Sequence, residues 1–166
     1  TFERNTALRQ GGGVFTQRTA NVIGGSFDCN FAGRPDNLGG PPYETSASGG
    51  AFYSDDANVT IARQTSPALG PVTMFTNNRA TNGGAISFTA TAERKVYEAQ
   101  FFGNRARNVG GAMFAQNAAN LALGFLNFGG PNAGEGNFAE NSGGACYFQN
   151  FNKSDQPQVL GCRFEA

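Results

Sequence analysis

Apolar residues along this chain come in short runs of three to five residues, within which apolar and polar positions alternate, and Gly, Asn or Pro brackets each run. Runs of this kind predict short strands, not helices. Three kinds recur in a fixed order. The first follows Gly-Gly, at 14–15, 51–53, 85–88, 112–114 and 145–148. The second is introduced by Asn or another polar residue, at 21–23, 58–61, 95–97, 120–123 and 158–160. The third carries a Phe, at 72–75 and 99–102.

The punctuation between runs repeats as well. Phe75, Asn78 and Ala80 lead to Gly83-Gly84-Ala85-Ile86, and Phe101, Asn104 and Ala106 lead to Gly110-Gly111-Ala112-Met113. Phe138, Asn141, Gly143 and Gly144 make a shortened copy, Phe2 and Asn5 open the chain with one, and Phe27 and Asn30 repeat the front half. Motif Phe residues at 2, 27, 75, 101, 138 and 164 are separated by 25, 48, 26, 37 and 26 residues. Turn-rich insertions near 33–45, 64–71 and 129–136 account for the two long intervals. Without them, five units of about equal length remain.

A fixed period of this size signals a solenoid. Three short strands per unit of roughly 25 residues wind most simply as a coil, with successive coils stacked at the strand spacing of about 4.8 Å. The predicted fold is therefore all-β: a parallel β-helix of about five coils with three strands each, one domain over 1–166. Since the chain opens and closes within a repeat unit, it is expected to be a segment of a longer repeat protein. Phe at one position of every coil predicts an internal ring stack. Asn is expected at a turn, where it tolerates left-handed backbone and can form an amide ladder. Gly-Gly is expected at a second corner, where a Cβ would strike the neighbouring coil.

Composition suits this picture, with 24 Gly, 16 Phe and no Trp. Twelve basic and 12 acidic residues cancel, which removes any electrostatic drive toward nucleic acid. With no His, and with Cys29, Cys146 and Cys162 outside any CxxC pattern, neither a metal nor a cofactor is expected. Cys146 and Cys162 lie close enough in sequence for a disulfide between neighbouring strands; otherwise all three cysteines are small buried residues. No apolar run is long enough to span a bilayer as a helix.

Candidate chemistry is thin. Asp55 and Asp56 form the one adjacent acidic pair after a Gly-Gly strand, and suit either a carboxylate pair of a carbohydrate-active enzyme or a calcium-binding corner. The Glu93-Arg94-Lys95 run with Glu98 reads as a solvated loop with weak ion pairs. Arg79 and Arg105 follow the motif Asn residues, with Arg107 nearby. Stacking would align Arg79 and Arg105 on one outer edge, as a basic stripe for acidic glycans or as charges that keep the outside soluble. Thr89-Ala90-Thr91 is solitary, without the repetition an ice-binding face needs. Asn58-Val59-Thr60 and Asn152-Lys153-Ser154 are N-glycosylation sequons.

The Phe-x-x-Asn and Gly-Gly-Ala-Ile pattern resembles the polymorphic outer-membrane protein type of repeat, most closely at 75–86 and 101–113. Such repeats occur in the passenger regions of chlamydial autotransporter adhesins and in other large extracellular proteins. The resemblance implies a right-handed parallel β-helix at a cell surface, and implicates the tetrapeptide in adhesion. Together these features suggest a non-catalytic structural or adhesive module of a surface fibre, adhesin, filament or hair-like appendage. Its expected partners are further coils, by self-association or within a longer protein, and glycans or a host or cell-surface protein, with recognition carried by the insertions. The alternative is a pectin-lyase-like β-helix enzyme.

Overall fold

A computed structural model of the chain describes residues 1–33, 46–64, 70–117, 120–130, 132, 135–151 and 156–165. Among them there are 21 strands and no helix. Sheet A is built from β1 (Phe2–Glu3), β5 (Gly25–Asp28), β9 (Thr73–Thr76), β13 (Ala99–Phe102), β17 (Asn127–Phe128) and β21 (Arg163–Phe164). Sheet B holds β2 (Thr6–Ala7), β6 (Phe31–Ala32), β10 (Arg79–Asn82), β14 (Arg105–Val109) and β18 (Phe138–Ala139). Sheet C holds β3 (Val14–Thr16), β7 (Phe52–Asp55), β11 (Ile86–Thr89), β15 (Met113–Gln116) and β19 (Cys146–Gln149). Sheet D holds β4 (Ala20–Ile23), β8 (Val59–Ala62), β12 (Arg94–Tyr97), β16 (Leu121–Gly124) and β20 (Gln158–Leu160).

The chain visits A, B, C and D in that order five times and then re-enters A. Each strand pairs in parallel with the strand four elements later, so the structure is a parallel β-helix of five coils. Every coil has four strands, not the three the pattern predicted. The missed ones are those of sheet B. Their inward positions carry only alanine, as at Ala32, Ala80 and Ala106, so no large apolar residue marks them in the sequence.

At each of the four corners a residue with positive φ bends the chain. Asn77 (φ 54°) does so between A and B, Gly83 (φ 60°) between B and C, Ala90 (φ 67°) between C and D, and Glu98 (φ 49°) between D and A. Left-handed backbone is costly for residues with a Cβ, and here the flanking parallel ladders hold it in place. The motif Asn was expected to take this conformation itself; instead the residue before it does, as at Cys29 (φ 53°) and Asn77.

The inward residues form continuous columns. Phe2, Phe27, Phe75, Phe101, Phe128 and Phe164 stack face to face, with ring centroids 4.8, 4.8, 4.9, 4.9 and 4.9 Å apart. Phe128 therefore takes the place assigned to Phe138, which lies on sheet B beside Arg105 and is exposed. The insertion at 129–136 explains the error: it separates the stacked Phe from its Asn, while Phe138 and Asn141 imitate the spacing by chance. Across the core, Phe52, Ile86 and Met113 from sheet C meet Val59, Val96, Leu121 and Leu123 from sheet D. Both ends of the column stay open, with Phe2, Phe15 and Ile23 exposed on the first coil and Val159, Leu160 and Phe164 on the last.

Replacing Phe101 by Ala should destabilise the fold by about 3–5 kcal/mol, since the ring is fully buried between two others. Phe2→Ala should cost clearly less, because Phe2 is 42% exposed. Chemical denaturation of the two variants checks this, and equal losses would contradict the stack.

Candidate functional site

The motif side chains are consumed by the fold. One turn beyond the Phe column, Asn5, Asn30, Asn78, Asn104 and Asn137 form a continuous amide ladder. Asn78 shows the pattern: its Oδ1 accepts from the backbone N–H and the Nδ2 of Asn30, both at 3.0 Å. Its Nδ2 donates to Asn104 Oδ1 and to the Phe27 carbonyl, both at 2.9 Å. Asn104 repeats this with Asn137 and the Phe75 carbonyl, each at 2.8 Å. All four hydrogen-bonding positions of such an amide are filled, which is what allows Asn30, Asn78 and Asn104 to be fully buried.

Asn137, not Asn141, is thus the last rung. Asn141 ends a second, shorter ladder, donating to Asn108 Oδ1 at 2.8 Å, and Asn108 in turn donates to Asn82 Oδ1 at 2.9 Å. Sequence reasoning found neither Asn137 nor this second ladder. The Gly-Gly corner is where it was expected. A Cβ on Gly84 would collide with the Gly111 carbonyl oxygen and the backbone at Arg105, so the coils close up only without one.

Arg94 overturns the reading of its segment as a solvated loop. It lies in register between Val59 and Leu121, at an inward position, and is 0% exposed. Its Nη2 donates to the Thr89 carbonyl at 3.0 Å and Nη1 to the Glu93 carbonyl at 3.3 Å, which ties down the C–D corner. The guanidinium carbon sits 5.5 Å from the centre of the Phe88 ring. Nε has no partner among the described residues. Burial brings the Arg94 pKa down to about 10, against the opposing pull of Asp56 and Asp55. Lys95 and Glu93 do form an exposed ion pair, at 2.9 Å.

The two candidate carboxylates have different settings. Asp55 accepts from Thr89 Oγ1 at 3.1 Å, and the Tyr53 hydroxyl shares that Thr89 oxygen at 3.0 Å. Asp56 sits exposed on the left-handed C–D corner. Among the described residues no group of three or more His, Cys, Asp or Glu side chains could hold a metal ion.

All three cysteines are free thiols, so the bridge considered between Cys146 and Cys162 is not formed. They do not lie on neighbouring strands: Cys146 begins β19 of sheet C, whereas Cys162 follows β20 at the D–A corner. Both pack against the core, and burial, then the nearby Cys162, pushes the Cys146 thiol up. Cys29, by contrast, is exposed on the A–B corner, where burial and a hydrogen bond to Asp28 raise its thiol. The sequon residue Asn58 is exposed just before β8, and its Oδ1 accepts from the Glu93 N–H at 3.0 Å. Asn152 lies outside the described residues, as do 34–45, 65–69, 131, 133 and 134 of the insertions. The insertions leave from three different corners: 33–45 from B–C, 64–71 from D–A and 129–136 from A–B.

On the outside, Arg79 and Arg105 are direct neighbours in the sheet B ladder, as the stacking argument anticipated, and both are exposed. They border a cleft of about 150 Å³ together with Arg107, Phe138 and Glu140. Its floor is the chain at Ala80 and Ala106.

Residues 73–89 match the family model of the Chlamydia polymorphic membrane protein repeat. That stretch runs from the start of β9 to the end of β11, and so spans one stacked Phe, one ladder Asn and one Gly-Gly corner. No curated protein and no solved structure matches the chain.

Three substitutions separate the roles of these polar groups. Asn78→Ala strands the Phe27 carbonyl and the Asn30 N–H, and should cost at least about 3 kcal/mol, against under about 1 kcal/mol for Asn141→Ala at the exposed end of the second ladder. Arg94→Leu, which matches Leu121 in the same column, should leave stability unchanged or raise it. Urea titration of each variant measures these differences.

Proposed function

We propose that this chain is a non-catalytic β-helix module of an extracellular surface structure, an adhesin, fibre or hair-like appendage, in which it serves as a rigid spacer that joins further coils end to end. The observation that carries this reading is the unbroken Phe column, which ends in an exposed ring at each extremity. An apolar end with unpaired parallel strand edges favours cover by another coil of the same geometry. The match at 73–89 to a membrane-protein repeat supports a cell-surface setting, and the exposed Asn58 sequon is compatible with a secreted glycoprotein.

The pectin-lyase-like alternative has less support. Asp55 is engaged by Thr89, and Asp56 lies exposed on the left-handed C–D corner. Cleavage of a uronan by the protein, abolished in Asp55→Ala or Asp56→Ala, would favour the enzyme.

End-to-end joining predicts concentration-dependent association in sedimentation velocity, which Phe2→Glu or Phe164→Glu should abolish by placing a charge on one end of the column. A protein that stays monomeric at all concentrations, or that associates equally well with both substitutions, would contradict the joining of coils.

A further inference from the structure

We infer that the outer face of sheet B is a binding site for an acidic polysaccharide, with Arg79 and Arg105 holding its anionic groups and Phe138 offering an apolar face to a sugar ring. The register sets the outward column: Thr6, Phe31, Arg79, Arg105 and Phe138 lie on successive strands. Two guanidinium-bearing strands are therefore one strand spacing apart, about 4.8 Å, with an aromatic residue on either side.

Like charges placed directly opposite one another in a sheet are destabilising. Among the described residues neither Arg79 nor Arg105 has an ion pair that would offset the repulsion. The cleft that Arg79 and Arg105 border has one carboxylate in its lining, Glu140. An anion seated between the two guanidiniums would remove the repulsion and gain charge-assisted hydrogen bonds.

Phe138 points to the class of ligand. It is 53% exposed, and the column that binds the coils together uses Phe128 in its place, so the fold has no need of this ring. An exposed aromatic wall beside paired arginines matches a chain that alternates apolar sugar faces with carboxylate or sulfate groups. The Asn82–Asn108–Asn141 ladder runs along the trailing edge of the same sheet and adds amides suited to hydroxyl groups. Arg79, Arg105 and Phe138 are exposed on the outer face, so the site is independent of the spacer role proposed above.

The test measures binding of heparin, polygalacturonate, neutral dextran and poly-glutamate to the immobilised protein at about 150 mM salt, where exposed charges are already screened beyond about 8 Å. Heparin distinguishes sulfate recognition, and polygalacturonate carboxylate recognition. At least one of them should bind and dextran should not. The Arg79→Gln, Arg105→Gln double variant should weaken binding at least about tenfold. Phe138→Ala should weaken it by about two- to tenfold, while Arg163→Gln, elsewhere on the surface, leaves it unchanged. Melting temperatures equal to that of the parent would place these losses at the site and not in the fold. Absence of binding to both acidic polysaccharides, an unaltered affinity of the double variant, or tighter binding of poly-glutamate than of either polysaccharide would overturn the assignment; the last would give the cleft to an acidic peptide.

Discussion

The spacing between neighbouring strands is the constraint from which the rest of this structure follows. Parallel ladders hold adjacent coils about 4.8 Å apart, and that interval suits two quite different side chains. Phenyl rings repeated at it come into face-to-face contact, with centroids 4.8–4.9 Å apart. Carboxamides repeated at it fall within hydrogen-bonding reach, at 2.8–3.0 Å. One backbone periodicity therefore selects Phe and Asn together, and the same spacing forbids a Cβ at Gly84. Residues in register are then coupled along the whole rod, and each rung supports the next.

Satisfying these columns leaves local costs elsewhere. The coil from Thr73 to Glu98 turns through four left-handed residues, three of them with a Cβ, and buries an arginine among apolar neighbours. Arg94 is tolerated because the corner carbonyls of Thr89 and Glu93 accept from it and the Phe88 ring lies beneath it. Its burial shows how far local hydrogen bonding can be used to hold a corner in place of a glycine.

Much of this architecture was legible in the sequence. The Phe intervals, the Asn three residues after Phe75 and Phe101, and the Gly-Gly pairs identify a solenoid, because each occurs where every coil imposes the same steric demand. Sheet B was not legible, since its inward residues are alanines and a small residue carries no alternation signal. Phe138 was misplaced because an insertion displaced Asn137 from Phe128, so that a residue aligned with Phe101 in the core column in fact pairs with Arg105 on the surface. Arg94 could not have been placed from its neighbours, which are charged and polar. Its alignment with Val59 and Leu121 emerges only from the register. On the outer surface, the juxtaposition of Arg79 with Arg105 followed from the repeat, whereas the aromatic beside them did not.

The amide ladder has a direction. From Asn5 onward each Nδ2 donates toward the later coil and each Oδ1 accepts from the earlier one. The Asn82–Asn108–Asn141 ladder runs the other way, each Nδ2 donating toward the earlier coil, so the last-coil end presents a donor from Asn137 and an amide oxygen from Asn141. Continuing the coil in the same sense extends both ladders at once, each with its own polarity.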